Sequence, residues 1–179
     1  MNFKFPTSIL LIIFLWLGTC LISLAAPYDV YAVKTAFLFR SLHYVEWPSD
    51  QMTDGKNITI CFTDTNQFTD TLASLDQRAI NDRTIVLKNI ASYNEMNSCH
   101  VIYIAANPSR PVSAIVSDLR NSNILTVSDQ AGFSQSGVIL NFPVVDEKVT
   151  VEINIDAANE QNIRFSAKLL RIAKLYGKE

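Results

Sequence analysis

Val101-Ile102-Tyr103-Ile104-Ala105 is the stretch whose reading decides the fold. It is short, apolar and rich in β-branched residues, without alternation between apolar and polar positions. Three other runs share its character: Ile58 to Phe62, Thr84 to Leu87 and Ile124 to Val127. Strands buried on both faces look like this, as in a parallel sheet covered by helices. The segments between them suit helices, best at Phe68 to Leu75 and Val112 to Leu119, with Ser109-Arg110-Pro111 as a helix start.

Further along, the pattern changes. Val138 to Val144 and Val149 to Ile153 flank Asp146-Glu147-Lys148. In the second run Val149, Val151 and Ile153 alternate with Thr150, Glu152 and Asn154. Alternation around a short polar turn predicts an antiparallel hairpin with one wetter face. The expected fold is therefore α/β: a three-layer sandwich with a mixed, mostly parallel sheet, a C-terminal antiparallel hairpin and helices on both faces. After the hairpin, Asp156 is expected to cap a turn through Glu160, and Asn162 to take a left-handed conformation. Ser166 is expected to cap a last helix with Leu169, Leu170, Ile172, Ala173 and Tyr176 on its apolar side, ending at Gly177.

On the other flank, Tyr28 to Glu46 reads as a helix ended by Trp47-Pro48, because the residue before a proline avoids helical geometry. Val33, Phe37, Ser41 and Tyr44 form one stripe, and Ala36, Phe39 and His43 the next. Leu38, Leu42 and Val45 widen the apolar arc beyond the third of the circumference that a surface helix needs. Such a helix is either deeply buried or covered by a second subunit.

Ahead of it lies an export pattern. A polar start carries Lys4, Ile9 to Leu24 is almost wholly apolar, and Ser23-Leu24-Ala25 supplies the small residues a signal peptidase needs. Cleavage between Ala25 and Ala26 makes 1–25 a signal peptide and 26–179 a single domain. A retained anchor is the rival, though the run of about 16 residues is short for a span of roughly 20. A lipoprotein signal at Leu17-Gly18-Thr19-Cys20 is the other, with Thr19 a poor residue before the cysteine. The formal charge of −2 over the whole chain becomes about −3 without Lys4, which gives no electrostatic reason to expect nucleic acid or anionic lipid as partner.

Cys61 and Cys99 then remain. In an oxidising compartment an even pair is ordinarily a disulfide. The alternative, a redox-active pair, ordinarily needs C-x-x-C proximity, which is absent. No catalytic set stands out. His43 and His100 are the two histidines, too few beside oxidised cysteines for a zinc site. There is no G-x-S-x-G. Gly132 and Gly137 have the spacing of a phosphate loop, but Val138-Ile139 follows where Lys and Ser/Thr are required. No cofactor is expected.

Ligands of parallel sheets gather beyond the carboxyl ends of the strands. Asp64 follows the first strand, Asn107 the third, and Ser128-Asp129 the fourth. Asp64 and Asp129 are thus candidates to meet across a crevice; the plainer reading is that Asp and Asn end strands because they favour turns. A receiver-like domain has a similar element order but needs an aspartate after the third strand, where this chain has Ala105-Ala106. Asn57-Ile58-Thr59 fits a glycosylation sequon at a strand start.

Taken in order, several pieces resemble the YfiR-like periplasmic proteins of Gram-negative bacteria, known also through HmsC. They are Val33-Lys34-Thr35-Ala36-Phe37-Leu38 with Val45-Glu46-Trp47-Pro48, Ile60-Cys61, Cys99-His100-Val101-Ile102-Tyr103-Ile104, Leu125-Thr126-Val127-Ser128-Asp129, Gly132-Phe133, Gly137-Val138-Ile139, Val151-Glu152-Ile153-Asn154 and Ser166-Ala167-Lys168-Leu169-Leu170. The resemblance implies an α/β sandwich that tends to dimerise and a regulatory role without catalysis. The best-known members of that family restrain a membrane-bound diguanylate cyclase through its periplasmic sensor region, which the resemblance implies for this chain. An outer-membrane-associated partner takes the restrainer away, and cyclic di-GMP and biofilm formation rise. The chain departs from the family at Ser136-Gly137, commonly a glycine pair, at Ser166-Ala167, often a serine pair, and in lacking a second cysteine pair. The alternative function is a periplasmic small-ligand-binding module using the strand-end crevice.

Overall fold

The structure, a computed structural model, describes residues 28–48 and 57–177. The export segment, with Lys4, Cys20 and the Ala25–Ala26 junction, lies outside the described residues. Helix α1 spans Val30–Leu42. Asp29 caps it by accepting from the backbone N–H groups of Tyr31 and Ala32 at 3.0 and 3.1 Å, satisfying donors that no helical carbonyl can reach. The helix is shorter than expected. After Tyr44 the chain extends, and β1 (Val45–Glu46) pairs antiparallel with β11 (Arg164–Phe165). The β-branched Val45 goes to a strand because a partner strand is present there, a tertiary fact outside its own segment.

The main sheet holds eight strands in the order β12-β10-β7-β6-β5-β2-β4-β3. They are β2 (Asn57–Phe62), β3 (Ala79–Ile80), β4 (Arg83–Asn89), β5 (Val101–Tyr103), β6 (Leu125–Ser128), β7 (Leu140–Asn141), β10 (Glu152–Asn154) and β12 (Lys174–Tyr176). The four apolar runs, now β4, β2, β5 and β6, lie side by side and parallel, as expected. β7 extends the parallel set, and β10 runs antiparallel to it. Between them β8 (Val144–Val145) and β9 (Lys148–Val149) form their own two-stranded ribbon. Its turn residues Asp146 and Glu147 have φ of 49° and 61°, the left-handed pair that a tight hairpin requires.

Successive residues of β5 point to opposite faces, which explains its unbroken apolarity. Val101 and Tyr103 join Leu38, Leu42, Phe68 and Leu72 in one core; Ile102 and Ile104 join Ile115, Leu119 and Met96 in the other. The first core is covered by α1 and by α2 (Gln67–Leu72), which continues as a 3-10 turn, Ala73–Leu75. The second is covered by the 3-10 turn Tyr93–Ser98 and α3 (Val112–Asp118). Three layers result.

The C-terminal expectations need correction in two places. Helix α4 (Ile155–Glu160) is capped by Asn154, whose side chain accepts from Ala157 N–H at 2.9 Å, and not by Asp156. The last helix, α5 (Ala167–Leu170), is a single turn. Ser166 occupies its cap position without making the side-chain bond. Beyond it the chain becomes β12, parallel to β10, because the sheet edge offers a ladder that an isolated helix of that length cannot match. Asn162 does take the left-handed conformation, with φ of 52°.

Cys61 in β2 and Cys99 just before β5 form a disulfide, with Cα atoms 5.9 Å apart. Both sulfurs sit in the second core. Replacing both by Ser should lower unfolding free energy by about 4 kcal/mol in oxidising buffer, the chain-entropy value for a loop of this size. Urea denaturation measures it; equal stability of the two forms would mean that the bond does not brace the fold.

Candidate functional site

The parallel strands release their chain at one end of the sheet, and the first turns of α1 reach that end through Tyr31 and Lys34. Asn66 follows β2, Tyr103 closes β5, and Asp129 follows β6. Together with Tyr31 of α1 and Gln67, Ala106 and Gln130 they line a cavity of ≈ 380 Å³. The lining Asp129 forms a charge pair with Lys34, which is buried behind the cavity wall. The Lys34 ammonium donates to Asp129 Oδ2 at 2.7 Å and approaches the Asp129 carbonyl oxygen at 3.5 Å. Lys34 is 5% exposed and Asp129 6%.

Burying two charges costs several kcal/mol of hydration apiece, and only close geometry with further hydrogen bonds offsets it. Asp129 has those bonds. Its Oδ1 accepts from the Tyr103 hydroxyl at 2.8 Å and from Gln130 Nε2 at 2.7 Å. The Lys34 ammonium also stands 5.1 Å from the centre of the Tyr31 ring, a favourable cation–aromatic arrangement. Tyr103 in turn accepts from Asn66 Nδ2 at 3.4 Å, while Asn66 Oδ1 caps α2. One connected network thus joins α1, α2, β5 and the end of β6. Thr35, beside Lys34, adds a 2.7 Å hydroxyl contact to Thr71 of α2.

Burial, then the adjoining Asp129 charge and its hydrogen bond, push the Tyr103 phenol well above its ordinary value. Tyr103 therefore stays protonated and serves as a donor. Nothing in this arrangement presents a nucleophile poised beside a base.

Of the residues named from sequence, Asp129 lines the cavity. Ser128 is fully buried, and its hydroxyl donates to the Ile104 carbonyl at 2.8 Å, so it ties β6 to β5. Asn107 is exposed one residue beyond the lining Ala106. Asp64 is exposed and accepts from the Thr63 hydroxyl at 2.8 Å; it is not among the lining residues and is not brought to Asp129. His100 Nδ1 accepts from the Thr59 N–H at 3.1 Å, bridging two strands, while His43 Nδ1 lies 2.9 Å from the Phe39 carbonyl on the helix surface. Among the described residues no group of three or more His, Cys, Asp or Glu is arranged to hold a metal ion, and no helix is long and apolar enough to cross a membrane.

Glu152 departs most from its expected place. The alternating run puts it on a wet face, yet it is 4% exposed. It accepts from Ser134 Oγ at 2.7 Å, Asn141 Nδ2 at 3.3 Å and Tyr176 Oη at 3.0 Å. The donors come from β7, β12 and the loop before β7, elements distant in sequence, so no local pattern signals the burial. For Lys34 a signal exists: it shares a helical stripe with Leu38, Ser41 and Leu42, the buried side of α1.

In class, this is a disulfide-braced three-layer α/β domain with a polar network tying the first turns of its first helix to the strand ends. The profile of the YfiR/HmsC-like family matches residues 31–174, and the chain belongs to that family. Among solved structures it is similar to a conserved domain protein from Vibrio cholerae, with a TM-score of 0.53 and 10% identity over 82% of this chain and 60% of that one. The chain thus spans 60% of that protein's length, and the likeness is one of fold. An ABC domain in complex with L-Trp from Streptococcus pneumoniae reaches a TM-score of 0.47 at 13% identity, over 68% of this chain and 55% of that one. No curated protein matches.

Tyr103→Phe should cost about 2 kcal/mol at neutral pH, the range for a hydrogen bond to a charged group. Because the folded state holds the phenolic proton more tightly than the unfolded chain, Tyr103 contributes stability below the ordinary value of 10.0 that is lost as pH rises above it. The gap between wild type and variant should therefore narrow above pH 10.0. Urea midpoints across that range check it; a gap that is constant with pH contradicts the assignment.

Proposed function

We propose that the protein is exported to the periplasm and there restrains an inner-membrane diguanylate cyclase by binding that enzyme's periplasmic sensor region. Cyclic di-GMP synthesis and biofilm formation fall as a result. The observation that carries this reading is membership of a regulatory family over residues 31–174. The described residues are consistent with a binding role: the buried Lys34 and Asp129 pair with each other, and the buried Glu152 is held by Ser134, Asn141 and Tyr176. The proposal includes cleavage at Ala25–Ala26, a homodimeric state, and release by an outer-membrane-associated protein. Deleting the gene should raise cellular cyclic di-GMP severalfold, and returning it should restore the lower level. Unchanged nucleotide in the deletion strain, measured by mass spectrometry, would remove the basis of the reading.

A second reading is favoured by the ≈ 380 Å³ cavity at the strand ends: a small-ligand-binding module using the crevice in which Asp129 lies, with Asp64 and Asn107 in exposed strand-end loops outside the lining and Ser128 buried at the end of β6. The Lys34–Asp129 pair leaves no net charge there, so the ligand would be uncharged. A bound metabolite stabilises the folded state by mass action. A melting-temperature screen with neutral sugars and nucleobases should then show a dose-dependent rise that Asp129→Asn diminishes. A flat response across the screen would leave the regulatory reading alone.

A further inference from the structure

The side of α1 that faces away from the core carries a different chemistry. Ala32, Ala36, Arg40 and His43 succeed one another along it, all exposed. Ala36, Phe39, Arg40, His43 and Tyr44 form one wall of a groove of ≈ 560 Å³, and Arg78, from the loop before β3, forms the other. The Arg78 guanidinium lies 3.9 Å from the centre of the Phe39 ring, and His43 meets the same ring edge-on at 4.9 Å. Lys168 of α5 stands 5.4 Å from the centre of Tyr44. The backbone around Arg78 is fixed, since its N–H donates to Leu75 and its carbonyl accepts from Ile85.

Among the described residues, none of these three cations forms an ion pair with an acidic side chain. The ion pairs seen among the described residues include Lys34–Asp129, Arg110–Asp118, Arg120–Glu160 and Lys174–Glu152. Arg40, Arg78 and Lys168 are in none of them. The chain has 17 acidic residues against 15 basic, so a groove whose two arginines pair with no acid among the described residues is a local reversal of the protein's overall sign. Arginine placed over an aromatic ring can still offer its fork of donors to a carboxylate. Arginine and aromatic side chains are also the types that anchor protein interfaces.

The geometry points to this groove as the docking site for an acidic segment of a partner protein, which rests on the regulatory-binding reading above. Arg40 and Arg78 take its carboxylates, and Phe39 and Tyr44 take its apolar side chains. A second copy of the chain docking the same face would bring like charges together across a two-fold axis. An anionic bilayer or nucleic acid would meet a net-negative protein. A short acidic stretch fits the local sign without meeting the rest of the surface. The neighbouring depression of ≈ 300 Å³, which shares Ala36 and Arg78, includes Asp70 in its lining, so the guest's carboxylates meet Arg78 from the Arg40 side, away from Asp70.

The test uses the full chain in the deletion strain and the purified mature protein. R40E/R78E is compared with wild type and with R110E/R120E, which alters two ion-paired arginines flanking α3, Arg110 half-buried and Arg120 exposed. R40Q/R78Q removes the charge without reversing it, and melting curves establish that each variant folds. Groove variants should leave cyclic di-GMP near the deletion level, whereas R110E/R120E should lower it as wild type does. In vitro, a fluorescein-labelled peptide of alternating Glu and Leu should bind wild type in a salt-sensitive manner and bind R40E/R78E about tenfold more weakly or worse, as electrostatic pairing requires. A Lys-Leu peptide should not bind. Full repression by folded groove variants overturns the inference while leaving the regulatory reading standing. If wild type itself fails to repress, that reading falls, and the groove is judged by the peptide alone: equal binding by wild type and R40E/R78E overturns it. Binding to phosphatidylglycerol vesicles with none to the acidic peptide overturns it as well.

Discussion

A buried lysine and a buried aspartate, 2.7 Å apart, set the arrangement of this molecule. Lys34 lies on the first helix and Asp129 at the end of a central strand, 95 residues later. Either charge alone would be costly in that interior, because removing one partner strands the other away from water. Each is tolerable only when the first turns of α1 reach the strand ends in the observed position. The pair therefore specifies where the helix goes more than it stabilises the fold. Tyr103, Gln130 and Tyr31 complete its surroundings and make that position the one in which every charge is satisfied. The outer face of α1, with Arg40 and His43, is oriented by the same constraint. Whatever binds there meets a surface placed by a contact on the helix's other side.

The architecture was legible where burial on both faces removes ambiguity. The runs around Ile60, Val86, Ile102 and Thr126 are β-branched and unbroken, and each became a parallel strand of the sheet. The pairing of Cys61 with Cys99 followed from compartment and count, and the structure joins them across adjacent strands. Asn162 took the left-handed conformation its residue type allows. In each case the information is local, held in a few consecutive side chains.

The misplaced elements share the opposite property. Val45 and Glu46 continue a helical pattern but pair with Arg164 and Phe165, more than a hundred residues away. Ile172 to Tyr176 has a helical apolar stripe, yet the open edge of β10 draws it into a strand. Glu152 alternates as a wet-face residue would and is buried because Ser134, Asn141 and Tyr176 converge on it. On α1 the wide apolar arc concealed the core side: Leu38 and Leu42 face inward with Lys34, Thr35 and Ser41, while Ala36 and His43 face water. For the crevice, Asp129 was legible as a strand-end carboxylate, but the candidate partner that the sequence offered was Asp64, and the observed one is a lysine. Residue chemistry suggested a site at the strand ends; only the folded chain shows which side chains reach one another.

Hydrogen–deuterium exchange comparing wild type with Lys34→Ala probes the pair's organising role most directly. If the Lys34–Asp129 contact positions α1, the amides of residues 34–42 should lose protection in the variant by about two orders of magnitude or more, the equivalent of roughly 3 kcal/mol of local stability. Amides of β2 and β5 should stay near wild-type protection. Unchanged exchange along α1 would contradict the account, as would an equal loss across helix and sheet, because either result would mean that the helix is held by apolar packing and that the buried pair places nothing.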